Sequence, residues 1–158
     1  MRAECNPTYQ GCVAKFSLEG DTTALRIPRL QAEIAHGQRK DGLWRTTCFE
    51  IFWQTEGHIG YHEFNLSPST DWAAYSFGGY RGDPAPKPAV INTVSGEDRN
   101  SMMLVSEIES ELMLPARIGL ACVLQYMDGT TQHWALQHCK ERPDFHAPEA
   151  RILELDRL

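Results

Sequence analysis

Apolar and polar residues alternate with a period of two along most of the chain. Cys12, Ala14, Phe16 and Leu18 form one such apolar row, and this alternation predicts a β-strand with one face against a core. Residues 47–54 (TCFEIFWQ) are rich in aromatic and β-branched residues and are too short for an ordinary helix. Glu56-Gly57 offers a turn, and residues 58–66 form a second segment that would run back along the first. These two segments predict an antiparallel hairpin.

Similar patterns predict further strands in the rest of the chain, at 71–77, 89–94, 101–108, 116–127, 130–138 and 151–155. The glycine- and proline-rich stretch 78–88 (GGYRGDPAPKP) predicts a loop. Asp128-Gly129 favours a type I′ turn, in which two residues have positive φ. Only residues 30–38 could form a helix, and it would be short and uncapped.

Roughly nine short strands separated by turns every 8–12 residues predict an all-β protein, most simply a β-sandwich, with a closed barrel as the main alternative. The chain has 158 residues and shows no repeat, low-complexity tract or linker. We therefore expect one domain that spans residues 1–158.

Composition and charge exclude several classes of protein. Fifteen basic residues against 21 acidic ones give a net charge of −6, which argues against a nucleic-acid binder and a polybasic membrane anchor. Residues 1–10 are polar and lack the apolar segment of a secretory signal, so a cytoplasmic location is expected. The five cysteines include no C-x-x-C pair. This pattern favours reduced, structural thiols over a disulfide scaffold or a zinc ribbon.

Glu50 is the most informative candidate residue. The sequence contains no G-x-S-x-G elbow, P-loop, H-E-x-x-H or dinucleotide fingerprint. Glu50 would share a strand face with Cys48 and Phe52, and both faces of that strand are apolar. A buried carboxylate is costly unless it is paired. Two interpretations stand about equal: a structural salt bridge with Arg45 or Arg81, or a hydrogen-bond acceptor at the bottom of a ligand pocket.

Three further residues have both a structural and a functional interpretation. His62 shares an apolar face with Phe64, where a satisfied core histidine is the commoner outcome. The Asn65 amide suits sugar hydroxyls but could equally hold the turn that follows it. Trp134 could pack in the core or present its ring to a ligand. No metal-binding residue is assigned, because the histidines and cysteines lack the spacing of metal ligands. No catalytic residue is assigned, because the sequence shows neither a nucleophile nor an orienting third residue beside Glu50 and His62.

Several motifs resemble those of bacterial DOMON-like domain proteins, over a region from Cys12 to Leu155. They are Leu43-Trp44-x-x-Thr47-Cys48-Phe49-Glu50, Tyr61-x-Glu63-Phe64-Asn65-x-Ser67-Pro68-x-x-x-Trp72-Ala73-x-Tyr75, Tyr80-Arg81, Trp134-Ala135 and Pro143-Asp144-Phe145-His146. The resemblance implies an immunoglobulin-like antiparallel β-sandwich that binds a small ligand on or between its sheets.

The wider superfamily contains sugar-binding modules similar to carbohydrate-binding module family nine. In those modules a Trp precedes a strand whose Glu, six residues later, contacts the sugar, and Trp44 and Glu50 have this spacing. Trp134 is the candidate for a second Trp that completes the sugar site. A haem-binding branch uses His and Met as axial ligands. Because Met102, Met103 and Met113 do not fall on its haem motif, haem is disfavoured and no cofactor is expected.

The hypothesis from sequence is a non-catalytic domain that binds a carbohydrate or sugar-like metabolite. Its site would consist of Trp44, Arg45, Glu50, Asn65 and Trp134. Its partner would be a small molecule, with no nucleic acid and no membrane. In a cytoplasmic domain, Arg45 and Arg81 could also meet the anionic group of a phosphorylated sugar. The alternatives are a structural or interaction domain, a b-type haem carrier, and an enzyme with Glu50 and His62 as an acid–base pair.

Overall fold

The computed structural model describes residues 1–30, 36–139 and 141–156. The predicted helix at 30–38 falls mainly on residues 31–35, outside the described residues. The strands are β1 (Arg2–Thr8), β2 (Gly11–Glu19), β3 (Cys48–Thr55), β4 (Tyr61–Leu66), β5 (Trp72–Phe77), β6 (Ala85–Pro86), β7 (Val90–Glu97), β8 (Ser101–Glu109), β9 (Ala116–Gln125), β10 (Thr131–Ala135) and β11 (Leu153–Leu155). Short 3-10 turns occupy Thr22–Ala24, Leu43–Arg45 and Pro148–Ala150. Within these ranges no helix has the length and apolar character that a membrane crossing needs.

The strands form two antiparallel sheets. The smaller sheet has the order β1-β2-β8-β7, and the larger has the order β10-β9-β3-β4-β5-β6, with β11 paired to β9. The predicted hairpin is present, since β3 pairs antiparallel with β4. Two separate sheets confirm the predicted all-β antiparallel sandwich and replace the closed-barrel alternative.

The main core fills the space between the sheets. Phe16 of β2 and Leu104 of β8 face Ile51 and Trp53 of β3, and all four are fully buried. The indole Nε1–H of Trp53 donates to the carbonyl of Met113 at 3.2 Å, so this large ring is buried without an unpaired donor. All five cysteines are free thiols, and four of them are buried.

Three details differ from the sequence prediction. Strand β1 was not predicted, because among its side chains only Cys5 is fully buried and its apolar pattern is weak. The two-residue strand β6 lies within the predicted loop. The turn at Asp128-Gly129 is not type I′, because Gly129 (φ 89°) has a positive φ and Asp128 does not. Instead Met127–Gly129 form a three-residue loop closed by hydrogen bonds between Tyr126 and Thr130 and between Gly129 and Tyr126.

The outer face of the larger sheet is also covered. A second apolar cluster lies there, with Phe52, Tyr61, Ala73, Tyr75, Phe77 and Ala121 as its buried members. Leu43, Ala135 and Phe145 pack over it from the turns and the edge strand. Strand β3 is therefore buried on both faces, as its continuous apolar sequence requires.

Candidate ligand-binding site

A cavity of about 430 Å³ opens on the outer face of the larger sheet. Its floor consists of side chains from the central strands, and its walls come from the loops around residues 81–84 and 143–146. The lining side chains are either aromatic or ionisable with few exceptions: Trp44, Tyr75, Phe77 and Phe145, then Glu50, Glu63, Arg81, His133 and His146. Aromatic walls with a few convergent polar groups are typical of small-molecule sites.

Glu50 lies on the cavity floor because of strand alternation. Phe49 and Ile51 point into the main core, so the side chain between them points to the outer face. Glu50 is 4% exposed, and no hydrogen bond or ion pair from the described residues reaches its carboxyl group. Burial, and then the nearby Glu63, raise the pKa of Glu50 to about 8. At pH 7 this carboxyl is therefore mostly protonated.

Glu63 is a second buried carboxyl on the same floor. Asn65 pairs with Glu50 across β3 and β4, and Glu63 stands two residues before Asn65, diagonal to Glu50. Its Oε1 accepts from Asn65 Nδ2 at 2.8 Å, and its Oε2 lies 3.7 Å from His146 Nε2. Burial raises the pKa of Glu63, while the Asn65 hydrogen bond and the Arg81 charge act against that shift.

His146 connects Glu63 to a buried aromatic stack. Its Nδ1 lies 2.7 Å from the Tyr61 hydroxyl, and Tyr61 in turn stacks on Phe77 at 4.8 Å between ring centroids. The guanidinium carbon of Arg151 lies 4.6 Å from the centroid of the Tyr61 ring. Burial, followed by the Arg81 charge, lowers the pKa of His146 to about 4. The imidazole is thus neutral near pH 7.

Asp144 joins the two loops that form one wall. Its Oδ1 accepts from Arg81 at 2.9 Å, and its Oδ2 accepts from the Tyr80 hydroxyl at 2.5 Å. The Asp144 side chain is 7% exposed, so these charge-assisted bonds are only partly screened by water. The positive charge of Arg81 is matched within the wall itself.

Trp44 forms the opposite rim. Its side chain is half-exposed and meets Tyr75 edge-on, with 6.4 Å between ring centroids and an interplanar angle of 73°. Tyr75 is fixed by its hydroxyl, which donates to Asp41 at 2.6 Å. Trp44 is therefore held beside a fixed tyrosine while part of its side chain stays accessible to a ligand.

The five residues predicted from sequence separate into two groups. Trp44 and Glu50 line the same cavity. Asn65 is fully buried and supports Glu63 rather than lining the cavity, and Arg45 is an exposed residue of the turn Leu43–Arg45. Trp134 pairs with Cys122, whose side chain faces the main core, so the Trp134 ring projects from the opposite face of the sheet. Ligand contact by these residues stays a prediction.

The predicted alternatives for Glu50 and His62 are corrected by the geometry. Neither Arg45 nor Arg81 forms an ion pair with Glu50 among the residues that the structure describes, so the salt-bridge interpretation fails. His62 lies opposite Trp53, on the core side of the sheet, and its Nδ1 is 3.0 Å from the Ser76 hydroxyl. Because Glu50 faces the other side, the two do not form an acid–base pair.

Glu63, Tyr75 and His133 also line the cavity, and they were not predicted as site residues from the sequence. The signal for Glu63 was its register, since a hairpin that pairs Glu50 with Asn65 must place Glu63 on the same face. The motif containing Phe145 and His146 was noted, but its position over the sheet is a tertiary contact without a local pattern.

A haem or metal ligand set does not converge on this cavity. Met102 is buried in the main core, and Met103 and Met113 are half-exposed elsewhere. Among the described lining residues there are two histidines and no methionine, so the His–Met pair of a haem site is not assembled. In the described part of the chain, no three potential metal ligands of the His, Cys, Asp or Glu type cluster together.

These features define an all-β sandwich with a lined cavity on the outer face of its larger sheet. The fold is shared with the crystal structure of a "putative carbohydrate-binding protein" from Bacteroides uniformis, with a TM-score of 0.59. The superposition covers 89% of this chain and 71% of that chain, at 14% sequence identity. At this identity the similarity shows a common fold. No protein-family model matches the sequence, and no curated protein matches it significantly.

Proposed function

We propose that this protein binds a carbohydrate or sugar-like small molecule in the cavity between Trp44 and the two buried carboxyls. One observation carries the proposal: the Glu50 carboxyl lies on the floor of the cavity without a partner among the described residues. A polar group in that position gains most from a ligand that hydrogen-bonds to it.

Sugar chemistry matches the two halves of the cavity. The C–H face of a sugar ring packs on a flat aromatic face, which Trp44 offers at the rim. A sugar hydroxyl can donate to a carboxyl oxygen or accept from a protonated carboxyl, and Glu50 and Glu63 place two such groups on the floor. The volume of about 430 Å³ lies within the range usual for small-molecule pockets.

Two comparisons support the same proposal from outside the site. The structure that shares this fold bears the name of a carbohydrate-binding protein. The motif resemblance to DOMON-like domains, in which Trp44 and Glu50 keep the spacing of a sugar-binding pair, supports membership of that superfamily as part of this proposal.

A sugar screen by thermal shift tests the proposal. Glucose, galactose, N-acetylglucosamine, glucosamine and cellobiose would be added at millimolar concentrations to the wild type and to Glu50→Gln and Trp44→Ala. A ligand that binds the folded state raises the melting temperature by mass action. We expect a shift in the wild type that both variants lose and that Trp134→Ala keeps. If no sugar raises the melting temperature, or if Trp134→Ala alone removes the shift, the proposed site is wrong.

A further inference from the structure

We propose that the ligand of this cavity carries a positively charged amine, as an amino sugar does, and that its ammonium group binds between Glu50 and Glu63. This inference rests on the proposed function, because it names the chemical class that the same cavity selects.

The charges that face the cavity leave an excess of acid. Glu50 and Glu63 contribute two carboxyls. The one guanidinium among the described lining residues, Arg81, is already paired with Asp144 at 2.9 Å. His133 and His146 add no positive charge near pH 7, because burial lowers the pKa of each imidazole. A cationic ligand would therefore meet two carboxyls that no cation of the described lining already pairs.

The thiols near Glu50 do not change this balance. Cys48 precedes Glu50 by two residues and lies on the same face of β3. Cys122 belongs to the neighbouring strand β9 and points to the core side. Burial raises the pKa of both thiols, so both stay protonated and neutral at neutral pH. Glu63, which lies diagonal to Glu50 on β4, is the ionisable group whose charge acts on Glu50, and its carboxyl has the same sign when ionised.

An ammonium group suits two adjacent buried carboxyls better than a hydroxyl does. It offers three N–H donors and a full positive charge, which strengthens each hydrogen bond where water is largely excluded. The Trp44 ring lines the same cavity and can add cation–π attraction, whereas the Tyr75 ring already has the Arg39 guanidinium 5.5 Å from its centroid. A neutral sugar supplies no counter-charge, and Glu50 would then keep its proton.

Binding of such an amine releases a proton. The free protein holds Glu50 as a carboxylic acid near neutral pH, since the pKa of this group is about 8. When the ammonium ion binds beside it, the O–H bond of Glu50 breaks, the proton leaves to bulk water, and the carboxylate pairs with the ammonium group. The charge of the site is unchanged by this exchange, and no other reactant is needed.

A phosphorylated sugar fits the structure poorly, in contrast to the expectation from sequence. Arg81 is neutralised by Asp144, and Arg45 is not among the residues that line the cavity. An anionic group would face two carboxyls without a free cation among the described lining residues. The observed charges favour the amine.

Isothermal titration calorimetry at pH 6.5 tests the inference with three probes of nearly the same shape. Glucosamine carries an ammonium group, whereas N-acetylglucosamine and glucose are neutral. We expect glucosamine to bind at least tenfold more tightly than either neutral sugar. Titrations in phosphate and in bis-tris buffer, which differ in ionisation enthalpy, should show close to one proton released per glucosamine bound and none with glucose. Glu50→Gln should lose the proton release, and Glu63→Gln should lose the preference for the amine.

The outcomes separate this inference from the proposed function. If glucose and glucosamine bind with equal affinity, or if no proton is released by the wild type, the amine inference is wrong while sugar binding stands. If none of the three probes binds at millimolar concentration, the amine inference is wrong, and sugar binding also fails if galactose and cellobiose give no thermal shift. The proton count is measured on the wild type, so it does not depend on how well the variants fold.

Discussion

Replacement of Glu50 by glutamine should make the protein more resistant to alkaline pH. Glutamine keeps the size and hydrogen-bonding capacity of a protonated carboxyl but cannot ionise. In the folded protein the pKa of Glu50 is raised to about 8 from its ordinary value of 4.5. Such a group favours the folded state fully below pH 4.5, and that contribution is lost progressively as the pH rises to 8. The Glu50→Gln variant should not show this loss of stability.

The magnitude follows from proton linkage. One proton bound in the folded state and absent from the unfolded state changes the free energy of unfolding by about 1.36 kcal/mol per pH unit. Between pH 6.5 and pH 8 Glu50 loses half of its proton in the folded protein, so the wild type should lose about 1.5 kcal/mol more than the variant. This window excludes the histidines with lowered pKa values, because the effects of His62 and His146 fall below pH 6.5.

Urea unfolding followed by tryptophan fluorescence at pH 6.5, 7.25 and 8 gives the required free energies. Glu4→Gln is a matched control, because Glu4 is an exposed carboxylate on β1 of the other sheet. Its pH dependence should parallel that of the wild type. If Glu50→Gln also parallels the wild type, or is less stable than the wild type at pH 8, Glu50 is not a protonated buried carboxyl and the charge inventory of the cavity is wrong.

Three further variants test the surrounding contacts. His146→Gln should reduce the loss of stability between pH 6.5 and 4, because a histidine whose pKa is lowered to about 4 gains a proton on unfolding in that range. Chemical denaturation at pH 4.5 and 6.5 measures this loss, and an equal loss in the wild type and the variant would contradict the expectation. Asn65→Ala removes the hydrogen bond to Glu63 and should lower the free energy of unfolding by about 1–3 kcal/mol, whereas equal stability would show that Glu63 finds another donor. Asp144→Asn weakens the link between the two wall loops and should reduce sugar affinity severalfold in calorimetry, whereas Arg45→Ala should leave the affinity unchanged. A loss of affinity with Arg45→Ala but not with Asp144→Asn would place the site elsewhere.

Much of the fold could be predicted because its physical causes are local. Alternation along residues 12–18 and the aromatic run at 47–54 identified β2 and β3, and the turn residues placed the hairpin with β4. Strand β1 escaped prediction because an edge strand buries few side chains and leaves little periodicity. The type of the turn at Asp128-Gly129 depended on loop length, which the dipeptide alone does not determine.

The site was predictable only where one strand carried it. Glu50 stood out as a carboxylate in an apolar run, and the Trp44 rim lies on the turn immediately before the same strand. Arg45 was assigned because its side chain can bind hydroxyls, and Trp134 as the second Trp that the family resemblance implies. The register of β10 with β9 turns Trp134 to the other face. The wall that carries Asp144 and His146 reaches the cavity from the far end of the chain, a long-range contact that no local pattern encodes.

The tryptophan indole N–H signals of a ¹⁵N-labelled sample offer the most direct measurement of the central claim. The chain has four tryptophans, of which Trp44 lines the cavity, Trp53 is sealed in the core, and Trp134 lies on the opposite sheet face. Titration with glucosamine or with glucose, with signals assigned through single Trp→Phe variants, should move the Trp44 signal and leave those of Trp53 and Trp134 in place. Movement of the Trp134 signal while that of Trp44 stays fixed would contradict the proposed cavity.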